Sequence, residues 1–223
     1  MKKTPLIMML VCLLTVVSCT NKADNNPLLN EWETPFEIPP FDQIKVDHFM
    51  PAYTEAMKRH NEEIKAIVNN KEEATFENTI EAYDVSGELL DRVSAVFSNV
   101  QGTKSNDSIM SIAKELSPLV SKHYNEIILN AGLFKRIKSV YDKRDSLGLN
   151  PEQMRLVTEI YKDFERSGAN LPEDKKEELK KINQEIASLQ LTFSQNLLTE
   201  TKNYKLVIDN KADLEGMSPS LIA

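Results

Sequence analysis

Between residues 47 and 203 apolar side chains recur every three or four positions, the period of helices that bury one face, and no comparable stretch alternates at the period of a half-buried sheet. Each helix can be read from its punctuation. Asp47 is expected to cap a first helix that carries Phe49, Tyr53, Met57, Ile64 and Ile67 inward, with Pro51 tolerable near its start and Asn69-Asn70 closing it. Thr75 is expected to cap a second that runs unbroken through Phe76, Ile80, Tyr83, Gly87, Leu90, Val93, Phe97 and Val100. Gly87 within it costs up to about 1 kcal/mol relative to Ala, so it is read as permitting close approach of a neighbouring helix.

Asn106 is expected to cap a third helix through Ile109, Ile112, Leu116, Leu119, His123 and Ile127, bent at Pro118. A shorter one passes through Leu133, Phe134, Ile137, Val140 and Tyr141. Asn150-Pro151-Glu152-Gln153 is a capping box with proline at the first helical position, opening a helix through Leu156, Ile160, Tyr161 and Phe164 that Gly168 stops. The last long helix begins near Pro172 and sets Leu179, Ile182, Ile186, Leu189, Phe193 and Leu197 along one seam fit for a partner helix. Tyr204-Lys205-Leu206-Val207-Ile208 is rich in strand formers and is read as one short strand or hairpin arm. The expected fold class is all-α, with long antiparallel helices and that one short strand near the C-terminal end.

Residues 1–18 carry a different signal. Lys2 and Lys3 precede an apolar run from Leu6 to Val17 of signal-peptide length, too short to span a bilayer. Val16-Val17-Ser18-Cys19 then resembles a bacterial lipobox, which makes Cys19 the expected site of lipidation and the mature amino terminus. The other reading is a standard signal peptide with a chance cysteine. Two or three acyl chains hold a protein on a membrane stably where one does not. The expected location is therefore the bacterial cell envelope, exported and lipid-anchored, on the periplasmic face or the outer membrane. Cys12 lies in the apolar run and Cys19 is lipidated, so the mature chain keeps no thiol for a disulfide, a nucleophile or a metal.

Residues 19–46 follow as a short polar tether and a lead-in. Pro27, Pro35, Pro39 and Pro40 disfavour helix there, and Trp32, Phe36, Ile38 and Phe41 are read as packing on the body that follows rather than as a ligand box. Residues 204–223 hold the strand and a helix start at Ser218-Pro219, after which the sequence reads as interrupted. The net charge of -7, with both signs interspersed, leaves no basic face for phosphates, so no nucleic-acid partner is expected.

Residues arranged for chemistry are few. The three histidines, His48, His60 and His123, are never four residues apart, so no His-Glu-x-x-His zinc helix can be drawn, and they are read as structural residues at polar edges or partly buried. A Gly-x-Ser-x-Gly elbow is missing, and the 6 glycines stand singly, which excludes phosphate-cradling loops. No residue is assigned as catalytic, cofactor-binding or metal-binding.

Several blocks nonetheless resemble a known family. They are His48-Phe49-Met50-Pro51-Ala52-Tyr53 with Met57 to Ile64; Thr75-Phe76-Glu77-Asn78-Thr79-Ile80-Glu81-Ala82 with Ser86 to Val93; Leu129-Asn130-Ala131-Gly132-Leu133-Phe134; Phe164-Glu165-Arg166-Ser167-Gly168-Ala169; and Asp213-Leu214-Glu215-Gly216-Met217-Ser218-Pro219. Their series resembles the amino-terminal region of the M3 zinc metallopeptidases, of the peptidyl-dipeptidase and oligopeptidase A type. The resemblance implies part of a helical, neurolysin-like fold, with a channel for short peptides, and with zinc held by a later His-Glu-x-x-His region that this chain does not include. This portion would form one wall of the channel and bind no zinc itself. Standing alone, it is expected to self-associate or to dock with a catalytic half. The competing reading is a stand-alone, non-catalytic helical lipoprotein that binds peptides or a partner protein.

Overall fold

The computed structural model describes residues 26–222, so Cys12 and Cys19 lie outside the described residues. The helices are α1 Phe49–Asn69, α2 Ala82–Asp84, α3 Glu88–Thr103, α4 Asp107–Ile128, α5 Ala131–Lys143, α6 Pro151–Arg166, α7 Glu173–Asn203 and α8 Pro219–Ile222. No strand occurs among the described residues. Tyr204 leaves α7 in an extended conformation, but residues 204–210 find no neighbour to pair with, and strand propensity without a partner ladder yields only extended chain.

Most starts obey the caps read from sequence. Asn106, Asn130 and Asn150 each accept a hydrogen bond from the backbone N–H three residues on, at 2.9–3.0 Å. Gln153 completes the box by accepting from the Asn150 N–H at 3.1 Å. Thr75 accepts from the Asn78 N–H at 3.2 Å, while Asn78 accepts from the Thr75 N–H at 2.9 Å. At α6's end Gly168 takes φ +92°, the left-handed geometry that lets the chain leave the helix.

Two expectations fail at helix boundaries. Asp47 does not cap α1; it sits inside a 3-10 turn, Val46–His48, where His48 Nδ1 accepts the Lys45 N–H at 3.1 Å. The second helix is not continuous either. Thr75 opens a wide π-turn, Phe76–Glu81, that runs into α2; a turn at Val85-Ser86-Gly87 follows, and Gly87 at φ +82° starts α3 in a new direction. The apolar period survived this break because both segments turn their apolar sides inward. α4, by contrast, runs through Pro118 as one helix.

Two apolar cores result, and α1 runs through both. Its front half joins Leu28, Leu90, Val93, Phe97, Ile109 and Leu116 around Phe49, Tyr53 and Ala56. Its rear half puts Ile64 and Ile67 with Phe76, Ile80, Leu133, Ile137, Val157 and Phe164. Phe49 and Tyr53 meet Phe97 edge-on with centroids 4.9 and 5.8 Å apart. The lead-in is pinned by Asn26, which is buried and donates to the His48 carbonyl at 2.8 Å, and by Leu28, fully buried in the front core.

Of the lead-in aromatics, Trp32 packs as expected, donating its indole N–H to the Pro27 carbonyl at 2.8 Å. Phe36, Ile38 and Phe41 do not: Phe36 is 96% exposed, and Phe41 keeps 46% of its surface in solvent. The prolines around them fix a course that leaves Phe36 in solvent and Phe41 half-exposed beside α3.

α7 packs antiparallel on α4, with an inverted face. Asn183 reaches Asn125 and Gln195 reaches the Met110 carbonyl, so the stripe against α4 is Leu179, Asn183, Ala187, Leu191 and Gln195. Of the seam read from sequence only Leu179 faces α4; Ile182, Ile186, Leu189, Phe193 and Leu197 point away and are all exposed, Phe193 at 69%. No helix of the described residues is long and apolar enough to cross a membrane.

Candidate functional site

Where the two cores meet, each long helix carries a histidine on its apolar side. His60 lies one turn from Ala56 and one from Ile64 on α1, and His123 lies between Leu116 and Ile127 on α4. Both are buried, at 6% and 4% exposure. The ring nitrogens His123 Nε2 and His60 Nδ1 stand 3.1 Å apart, and the rings meet edge to face at 5.0 Å.

A hydroxyl orders the protons. Ser86 Oγ donates its only hydrogen to the Tyr83 carbonyl at 2.7 Å, so at 3.3 Å from His60 Nε2 it accepts. His60 therefore carries its proton on Nε2, Nδ1 is left as an acceptor, and His123 Nε2–H donates to it. The result is a directed chain of neutral groups from His123 through His60 and Ser86 to a backbone carbonyl. Burial pushes His123 down to about 4, and the neighbouring His60 adds to the shift. Burial lowers His60 too, against the opposing pull of Glu63 and Asp91.

Gly87 is built around this pair. Its N–H donates to Glu63 Oε2 at 2.7 Å, and a Cβ in its place would stand 2.7 Å from the His60 ring. The glycine thus does admit a neighbouring helix, though through a turn rather than from within a helix. Tyr124 donates to Asp91 at 3.4 Å, and its hydroxyl is pushed up to about 12, chiefly by burial and then by Asp91. Asn125 donates to the Ser121 carbonyl at 2.8 Å and accepts from Asn183 at 2.6 Å, tying α7 to α4 beside the histidines.

These groups line an open cavity of about 580 Å³, among them His60, Ser86, Asp91, Tyr124, Arg166 and Asn183. Ser86 is not set up as a nucleophile, because His60 gives it a proton rather than taking one. Nor do the residues present fit zinc. The facing imidazole nitrogens are spent on each other, and no group of three or more His, Cys, Asp or Glu among the described residues could hold a metal. The cavity thus joins a neutral imidazole–hydroxyl chain at its floor to the charged side chains of Asp84, Asp91 and Arg166.

In the sequence the histidines stand singly, and that two of them, 63 residues apart, are partners shows only in the fold. The available signal was register, since His60 and His123 both fall on the apolar side of their helices. His48 is separate, closing the turn before α1.

Comparison with curated proteins gives relatives along most of the chain. It is 40% identical over 198 residues to the dipeptidyl carboxypeptidase of Escherichia coli, across 89% of this chain and 29% of that protein. With the dipeptidyl carboxypeptidase of Salmonella typhimurium it shares 39% over 194 residues, across 87% of this chain and 28% of that protein. Oligopeptidase A of Escherichia coli is 29% identical over 198 residues, again across 89% of the chain and 28% of the relative. The chain thus spans less than a third of the length of the curated relatives it matches. No family model matches it.

Proposed function

We propose that this chain is the substrate-channel-wall portion of an exported, lipid-anchored zinc peptidyl-dipeptidase of the M3 type, acting on short peptides. The observation that carries the reading is the likeness to two dipeptidyl carboxypeptidases, which runs through nearly nine-tenths of the chain. The inverted face of α7 supports it. A helix that presents Leu189, Phe193 and Leu197 to solvent while packing Asn183 and Gln195 inward has its larger apolar stripe free for a further body. In this reading that body is the remainder of the peptidase, which holds zinc and performs the cleavage. The described residues shape access to it, and no step of the reaction is assigned to them. Cys19 would carry the lipid that holds the enzyme in the cell envelope.

The direct test is a chimera in which residues 26–223 replace the matched segment of the Escherichia coli dipeptidyl carboxypeptidase. It is expected to release dipeptides from short peptides, and to lose that activity when Phe193 and Leu197 are changed to Asp. A chimera that folds with bound zinc yet leaves peptides intact sinks the reading. Anchoring is tested apart: labelled palmitate should enter the full chain and be lost with Cys19→Ser.

A further inference from the structure

The lead-in and α3 enclose a second, smaller site. Trp32, Pro39 and Phe41 form one wall, and Arg92, Ala95, Val96 and Asn99, one face of α3, form the other. The cavity measures about 330 Å³, the low end for small-molecule pockets, which run from roughly 300 to 1,000 Å³. Its surface is apolar but for the guanidinium and the amide.

Arg92 sits there without a carboxylate partner among the described residues. The guanidinium carbon lies 4.9 Å from the centre of the Trp32 ring, a cation–π contact that holds it at the rim. Its Nε is buried with no hydrogen-bond partner, and no ion pair among the described residues involves it. A guanidinium presents five N–H donors in a fixed fork that matches a carboxylate, and burying one of them without a partner is costly. The Phe41 ring, half-exposed across the groove, offers apolar surface to whatever body carries that carboxylate.

We propose that this groove binds the carboxyl-terminal residue of a peptide bearing an apolar side chain. The terminal carboxylate pairs with Arg92, and the side chain lies against Trp32 and Phe41. Asn99, two turns along α3 from Arg92, is an exposed amide that can donate to and accept from a peptide unit at once, which a free alkyl carboxylate would not use. The site goes beyond the peptidase reading and does not depend on it.

Trp32 is the single tryptophan, so one indole N–H cross-peak and one emission band report on the groove directly. N-acetyl-phenylalanine titrated into the full chain should shift both saturably. N-acetyl-phenylalanine amide should bind about ten- to a hundredfold more weakly, the loss expected for one charge-assisted hydrogen bond. Arg92→Met should abolish the preference for the acid, and Asn99→Ala, at an exposed position, should weaken the peptide acid but not hexanoate. A silent indole, or an amide that binds as well as the acid, overturns the site. Hexanoate binding as tightly as the peptide acid overturns its assignment to a peptide. Failure of the chimera described above would leave these titrations unchanged.

Discussion

The body from α1 to α6 and the long helix α7 are both amphipathic, but they spend that amphipathicity in opposite ways. In the body the apolar faces read from sequence turn inward, Leu119 of α4 excepted: Leu90 and Val93 of α3, Ile137 and Val140 of α5 and Val157 of α6 are fully buried. In α7, the face with the largest side chains turns outward, and a mixed stripe of two leucines, an alanine and two amides meets α4. A helix's own pattern says which residues share a face, and only its neighbours decide which face is covered. α4 offers α7 the buried Asn125 amide, which needs hydrogen bonds, and Asn183 answers it.

Two phenylalanines separate the body from α7 most clearly. Phe164→Ala empties a fully packed site in the rear core and should cost about 3–5 kcal/mol in a denaturant titration. Phe193→Ala, in the exposed stripe of α7, should stay within about 0.5 kcal/mol. Similar losses at both would mean that α7's stripe is covered.

Gly87→Ala probes the junction of the two cores. A left-handed φ is costly for any residue with a Cβ, and this Cβ would meet the His60 ring, so about 2–4 kcal/mol should be lost. The histidine chemical shifts should move with it, because the His60–His123 contact must open.

Acid probes the same junction. The folded pKa of His123 is depressed from 6.5 to about 4, so the unfolded state binds more protons between those values. The stability contributed by the neutral pair is full above pH 6.5 and falls as pH drops toward 4, by up to about 3 kcal/mol. His123→Phe should flatten the upper part of that slope, before carboxylates begin to titrate. A slope unchanged in the variant would place the acid sensitivity elsewhere.

The smallest effect concerns association. Phe193→Ser should leave the melting temperature nearly unchanged while lowering any concentration-dependent self-association seen by sedimentation, since the exposed stripe is the surface available for it. An unchanged sedimentation profile in a self-associating chain would put the contact on another face.

Much of the fold was legible because its signals are local. Asn106, Asn130 and Asn150 cap helices through bonds spanning three residues, and Gly168 ends α6 through its own φ. The errors fell where local rules compete. Around residues 84–88, apolar spacing continues across a turn and hides the break, and Gly87, which fits the helical period, instead begins a helix. The lead-in aromatics share one composition, yet Trp32 packs while Phe36 stays in solvent. The candidate site was less visible still, because its partners are distant in sequence and each taken alone is an unremarkable helix residue.

Neighbours along the chain set the helical class, where most helices start and which residues of each share a face, because capping and a 3.6-residue period are local. Only the tertiary structure decided that His60 and His123 hold the same proton chain, that α7 shows its larger apolar stripe to solvent, and that Arg92 faces an apolar groove. Those outcomes depend on which surfaces meet across dozens of residues, where hydrogen-bond satisfaction and packing between helices outweigh the preferences of any one helix.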